Sequence, residues 1–242
     1  GCFPKTSLPS VDDFLQRFQA AYDAGDSVIC LCITTSLSGS FNSAMTACQI
    51  FLEDHPDAQL KVFNSWQNTV GQALIVREFL RMREDGLSFD DMCSKIDGFK
   101  ATSQIIFTIS TLDYLKKGGR IGKMLTTVGD KLNIQPLLNL KKGDLSITSI
   151  TRSRKKAKPV VIANAKKFFE NKNIDDYFIT VGFGYDPVEA AEFRATVEAE
   201  LGITCVENLP GEDFPATIGA VTACHTGPFS LGISFVQKYE TI

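Results

Sequence analysis

A short apolar strand that runs into a hydroxyl-rich turn and then a helix constrains this chain more than any other feature. Ser27 to Ile33 is a continuous apolar run rich in valine and isoleucine, the pattern of a strand covered on both faces. It ends in Thr34-Thr35-Ser36-Leu37-Ser38-Gly39-Ser40. From Phe41 the spacing turns helical, with Phe41, Ala44, Met45 and Cys48 on one face. The first N–H groups of such a helix lack internal partners and sit at the positive end of its dipole. The junction therefore suits an anion. Neither GxxxxGK[ST] nor GxGxxG accompanies it, so a polyphosphate cradle is not expected. Hydroxyls around one glycine suit a single small acidic group such as a carboxylate. The alternative is that Ser38 or Ser40 simply caps the helix.

The neighbouring segments repeat the alternation of strand and helix. Ser10, with Asp13 three residues on, opens a helix whose buried stripe is Phe14, Leu15, Phe18, Ala21 and Tyr22. Gln59 to Asn64 reads as a second strand, and a helix runs from about Thr69 to Glu84. Another is capped by Ser88. This order implies a parallel sheet with crossover helices, in which ligands sit outside the carboxyl ends of the strands. The pattern changes at Gln104–Ile109, a strand that leads into TLDYLKKGGRIGK and a further helix to about Leu132. Pro136 to Ile150 reads as a hairpin turning at Gly143-Asp144. A helix from Lys158 to Asn171, a strand at Tyr177–Phe183, a helix at Pro187–Leu201 and a strand at Ile203–Asn208 follow. Ala216–Cys224 reads as a buried extended segment, His225-Thr226-Gly227-Pro228 comes next, and Leu231–Val236 is a last strand. The chain thus divides into an α/β domain over residues 1–100 and a second over 101–242.

Composition excludes several functions. A net charge of −3 argues against general nucleic-acid binding. No apolar run reaches the ~18 residues of a membrane span. The cysteines, 7 in number, lie mostly within apolar runs and read as reduced core thiols of a cytoplasmic protein. Cys30 and Cys32 alternate along a strand, and no CxxC or second ligand cluster supports a metal site. Only His55 and His225 are available for imidazole chemistry. A lone histidine such as His225, placed after an apolar run, is commonly a structural residue. Thr6 reads as an ordinary loop hydroxyl. The basic run Arg152, Arg154, Lys155, Lys156 and Lys158 reads as a solvated helix start.

Several stretches taken together resemble the DegV family, bacterial fatty-acid-binding proteins that serve as lipid carriers for fatty-acid kinase. They are TSLPS at 6–10, ITTSLSGSFNSA at 33–44, LDYLKKGGRIGK at 112–123, NIQPLLNLKKGDL at 133–145, RSRKKA at 152–157 and HTGP at 225–228. They keep the family's order over nearly the whole chain. The sequence differs from the family's usual pattern at Thr34-Thr35, where Ser-Ser is common, at Ser40 for threonine, and at Phe229 for glycine. The family also carries a further segment, with a strand bearing Asp-Ser, before its TS motif. On that ground the first sheet is expected to lack strands, and to expose apolar surface or pair with another chain.

The resemblance implies an α/β fold of two domains. The first is a parallel Rossmann-like sheet flanked by helices, the second a mixed α/β sheet, and the ligand lies in the cleft between them. It implies a carrier rather than an enzyme, holding one long-chain fatty acid without cofactor or metal. Thr6, Ser38 and the N–H of Gly39 would receive the carboxylate, with His225 as a further partner. A separate fatty-acid kinase would act on the presented carboxylate, and Arg152, Arg154 and Lys155 would dock that kinase or meet phosphate. Two other readings stay open: a hydrolase using Ser38 with His225, and a binder of another small anionic metabolite. Against the hydrolase stands the absence of a G-x-S-x-G elbow.

Overall fold

The computed structural model of the chain describes residues 3–124, 134–206 and 216–242. Ser10 caps α1 (Val11–Asp23) in a reciprocal box: its hydroxyl accepts from the Asp13 N–H, and the Asp13 carboxylate accepts from the Ser10 N–H. β1 (Val28–Cys32) then leads through the hydroxyl-rich turn into α2 (Ser40–Asp54), and α2 returns to β2 (Leu60–Asn64). The two strands pair in parallel, with Val28 opposite Leu60 and Cys32 opposite Asn64. Phe18 of α1 and Ala44, Ala47 and Phe51 of α2 bury one face of this pair against Leu60 and Val62. Val28 to Leu31 are only partly buried.

The other face of the pair, through Ile29, Leu31 and Phe63, meets α3 (Thr69–Glu84). The same helix packs Val70, Leu74 and Phe79 with Val236 and Tyr239 from the far end of the chain. One helix therefore serves two sheets. Two short helices follow, α4 (Phe89–Ser94), capped by Ser88, and α5 (Ile96–Thr102).

The second sheet contains β3 (Gln104–Thr108), β4 (Gln135–Lys141), β5 (Asp144–Thr151), β6 (Tyr177–Phe183) and β7 (Leu231–Gln237), in the order β5-β4-β3-β7-β6. All its ladders are antiparallel, and one parallel bridge, Phe183 to Thr217, runs beside them. Its sides follow the two-residue period of a strand. Tyr177, Ile179, Val181 and Phe183 of β6, with Ile233 and Phe235 of β7, bury against α7 (Arg154–Phe169) and α8 (Pro187–Leu201). The alternate positions face α3. There Gly182 lies opposite Gly232, and the absence of side chains lets Val70 at the start of α3 pack closely on Gly182. Two further short helices are α6 (Asp113–Lys117) and α9 (Ala220–Thr226).

Several boundaries differ from the sequence expectation. The hairpin turns at Lys142-Gly143, one residue early, because both residues adopt positive φ, 51° and 80°, as a two-residue type I′ turn requires. Ala216–Cys224 is not extended throughout: α9 occupies Ala220–Thr226 and carries His225 in its last turn. A short apolar run does not by itself separate a helix from a strand, and Gly219 starts this one. α7 begins at Arg154 rather than Lys158, because Ser153 caps it by accepting from the Lys156 N–H. Pro159 lies inside this helix, past its first turn, so the Lys155 carbonyl lacks the N–H that would otherwise bond it. Ile203–Val206 forms no strand, although the Val206 N–H donates to the Ile179 carbonyl. The helix expected to about Leu132 and the end of the segment expected over Ile203–Asn208 lie outside the described residues. Cys30, Cys32, Cys48, Cys93 and Cys224 are thiols outside any disulfide.

Candidate functional site

The turn after β1 keeps its shape through bonds to the second sheet. The Gly143 carbonyl accepts from the Thr34 hydroxyl at 2.8 Å and from the Ser36 hydroxyl at 2.5 Å. The β4–β5 turn thus fixes the path of the chain into Ser38. Gly39 precedes the first turn of α2 and has no side chain to cap it. Ser38 Oγ accepts from the Ser40 N–H at 3.2 Å and lies 2.7 Å from Ser40 Oγ, so the capping alternative is realised for one N–H only. The N–H groups of Gly39 and Phe41 have no acceptor among the described residues.

Ser38 and Ser40 line a cavity of about 270 Å³ between the two sheets. Its lining is largely apolar, with Ile33, Val70, Ile105, Phe107, Leu140 and Leu231 among the contributors. The paired glycines Gly182 and Gly232 form part of the same wall. A Cβ on Gly182 would stand 2.7 Å from Val70 Cγ2, so the close approach of α3 to the sheet requires glycine there. Thr6, Ser38, Arg120 and His225 supply one polar group of the lining; Asn68, Thr69 and Thr222 supply another.

Thr6 and His225 come together directly. Thr6 Oγ1 lies 2.8 Å from His225 Nε2, and His225 Nδ1 is buried without a partner among the described residues. The ring rests on Gly118, where any Cβ would collide with Nδ1. Across the ring contact, the φ of +76° at Gly227 ends α9 in a conformation that suits glycine. The GG of α6 and the HTG of α9 are therefore two halves of one close packing. Burial, and secondarily the positive charge of Arg120, hold the His225 imidazole below its ordinary pKa. The ring is neutral at neutral pH.

Arg120 is the residue that sequence reasoning left out. It lines the cavity, and its guanidinium donates to the Leu37 carbonyl at 3.0 Å (Nε) and to the Gly118 carbonyl at 2.6 Å (Nη1). It is thus fixed between the turn that carries Ser38 and the glycine beneath His225. Its signal was its place in GGRIGK: a cation in a glycine-bound turn is held where a long side chain reaches back over the chain.

The basic run at the start of α7 does not join this group. The Arg154 guanidinium bonds both oxygens of Glu189, with Nε 2.7 and 2.8 Å away, and its Nη1 donates to the Phe229 carbonyl at 2.6 Å. Lys158 completes the cluster at 2.8 Å from Glu189. Burial would raise the Glu189 pKa, but its two cationic partners outweigh that and lower it. Arg154 thus has structural partners in the Glu189 carboxylate and the Phe229 carbonyl. Arg152 and Lys155 remain exposed.

Among the described residues the bonded partner of Ser38 Oγ is Ser40, not a base. The bonded partner of His225 Nε2 is Thr6, and no carboxylate orients Nδ1 among the described residues. Among those residues no group of three or more His, Cys, Asp and Glu side chains could hold a metal. None of the described helices is long and apolar enough to cross a membrane.

Comparison with known proteins bears on the same geometry. The sequence model of the family described as "Uncharacterised protein, DegV family" matches residues 1–238. A DegV domain-containing protein of Clostridium perfringens is 31% identical over 238 residues, which cover 98% of this chain and 78% of that protein. Among solved structures, a stearic-acid-binding protein from Eubacterium ventriosum is 44% identical and superposes with a TM-score of 0.91, over 99% of this chain and 80% of that one. A fatty-acid-binding DegV family protein from Thermus thermophilus is 28% identical with a TM-score of 0.84, over 98% of this chain and 80% of that one.

Proposed function

The chain belongs to the DegV family, and from that premise we propose that it is a lipid carrier that holds one long-chain fatty acid and has no catalytic activity of its own. The observation that carries this reading is the cavity itself: a largely apolar space into which Thr6, Ser38, Arg120 and His225 project at one polar group. A fatty acid has the same division. Its alkyl chain gains from leaving water, and its ionised carboxylate must meet donors when buried. Ser38 and the free N–H of Gly39 at the start of α2 are such donors, with Arg120 supplying a balancing charge. His225, neutral and bonded to Thr6, adds a donor in either tautomer that leaves a ring N–H or the Thr6 hydroxyl free. The fatty acids held by two relatives of known structure support the same reading.

In the finer part of the proposal, the carboxylate is presented to a separate ATP-dependent kinase in the cytoplasm, and Arg152 and Lys155 take part in docking it. The division of the chain near residue 100 belongs to the proposal too, with α3 as the element shared between the two halves. The test is direct. Native mass spectrometry of the purified protein, followed by organic extraction, should show one fatty acid per chain. A small polar metabolite in its place would overturn the reading.

A further inference from the structure

Outside the cavity, β1 holds a pair of thiols. Ile29 and Leu31 face α3, while Cys30 and Cys32 face the other way, into the cluster built by α1 and α2. Side chains two apart on a strand share a face, and here the sulfurs meet: Cys30 Sγ lies 3.9 Å from Cys32 Sγ. Cys32 is buried and Cys30 is partly exposed, so Cys30 is the member that solvent reaches. The hydrogen bond between the thiols holds the Cys30 thiol below its ordinary pKa against the effect of burial. The same bond, together with burial, pushes the Cys32 thiol up. Cys30 therefore ionises first and supplies the nucleophile. A structural zinc would need four ligands, and among the described residues no group of three or more His, Cys, Asp and Glu side chains could hold a metal. The chemistry open to these two sulfurs is with each other.

We propose that Cys30 and Cys32 are a reversible redox site whose oxidant is a low-molecular-weight disulfide, and that closing it weakens the hold on cargo. The Cys30 thiolate attacks one sulfur of the small disulfide and expels the other half as a thiolate. Cys32 then gives its proton to water, and its sulfur attacks Cys30 Sγ in the mixed disulfide and expels the second half. The two protein thiols are oxidised to one S–S bond, and the small disulfide is reduced to two thiols. The strand as it stands does not allow this bond. Cα atoms two apart on an extended strand are about 6.6 Å from each other. A disulfide needs its Cβ atoms about 3.5–4.5 Å apart and its sulfurs about 2.05 Å apart. β1 must therefore pucker and shorten between Cys30 and Cys32, and a bond strained in this way is easily reduced again. The distortion reaches the site. The Cys32 carbonyl accepts from the Ser65 N–H at 2.9 Å and from the Ser65 hydroxyl at 2.8 Å, and Ile33, the next residue, is cavity wall. A shortened β1 displaces Ile33 and the turn behind it that carries Ser38. The effect on cargo rests on the fatty-acid reading above; the bond itself does not.

The test incubates the delipidated full chain with mixtures of oxidised and reduced glutathione, traps the remaining thiols, and maps the peptides by mass spectrometry. A Cys30–Cys32 bond should form as the oxidised share rises, in the wild type and equally in Cys48→Ser. Stearic acid affinity should fall about tenfold in the oxidised protein and return on addition of dithiothreitol. Cys30→Ser and Cys32→Ala should each bind stearic acid like the reduced wild type and should not respond to the oxidant. Absence of the bond in every mixture, or a bond made by Cys48 in its place, overturns the redox site. A Cys30–Cys32 bond with affinity unchanged overturns its control of cargo and leaves the carrier reading standing. If stearic acid binds neither form, the carrier reading falls, and the peptide map alone decides the redox site.

Discussion

Thr6 and His225 are 219 residues apart in sequence and 2.8 Å apart in space. This bond ties the segment before α1 to the last turn of α9, and both border the cavity. It also gives two residues that looked ordinary a shared task. The proposed carboxylate site depends on it, and the first expectations follow from that.

Ser38→Ala should weaken binding of a long-chain fatty acid by about ten- to a hundredfold, since a hydrogen bond to a charged group contributes roughly 1.5–3 kcal/mol. The methyl ester has no charge to satisfy, so its affinity should hardly change. Titration of acid and ester against both proteins checks this. Equal losses for the two lipids would mean that Ser38 shapes the turn and does not hold the carboxylate.

Gly118→Ala tests the position of His225 without touching its chemistry. The backbone at Gly118 is ordinary right-handed helix, with φ of −77°, so alanine fits the chain there. Its Cβ would strike the imidazole. Fatty-acid affinity should drop about tenfold, and overpacking should cost roughly 1–3 kcal/mol of stability. Wild-type affinity in this variant would show that the ring can move aside freely.

The pH dependence has a definite sign. Because the folded chain holds His225 below its ordinary value of about 6.5, the unfolded chain binds more protons between the two values. The contribution of His225 to stability is therefore complete above about pH 6.5 and is lost as pH falls through its folded pKa. Urea unfolding from pH 5 to 8 should show this loss in the wild type and not in His225→Gln. Parallel curves for the two proteins would refute the assignment.

The basic run should separate into two behaviours. Arg154→Met leaves Glu189 with Lys158 alone and should destabilise the fold by about 1.5–3 kcal/mol, the range for hydrogen bonds to charged groups. Lys155→Glu changes an exposed side chain and should shift stability by no more than about 0.5 kcal/mol. Its effect should appear when the kinase is added, as slower acyl phosphate formation at unchanged lipid affinity. Wild-type turnover in Lys155→Glu would return this residue to plain solvation.

Much of the fold was legible because its signals are local. The Ser10–Asp13 box, the helix over Thr69–Glu84, the strand over Tyr177–Phe183 and the stop at Gly202 need only neighbouring residues to be read. Ala216–Cys224 was misread because an apolar run of that length suits either a strand or a helix, and the choice is made by α6 packing against it. At the site, the hydroxyl-rich turn announced itself by composition. Arg120 did not, since its role comes from a carbonyl 83 residues away at Leu37. Nor did the ion pair of Arg154, since the acid that engages it, Glu189, is 35 residues further along. Charge in a sequence marks an ionic group but not its partner.

The paired glycines Gly182 and Gly232 have a steric consequence. A methyl on either would collide, with Val70 or with Phe107, so the start of α3 and the neighbouring strand sit directly against the glycine backbone. Val70 and Phe107 are also cavity wall. A side chain added at either glycine would therefore displace the wall as well as the packing, and the seating of α3 and the outline of the cavity are one constraint.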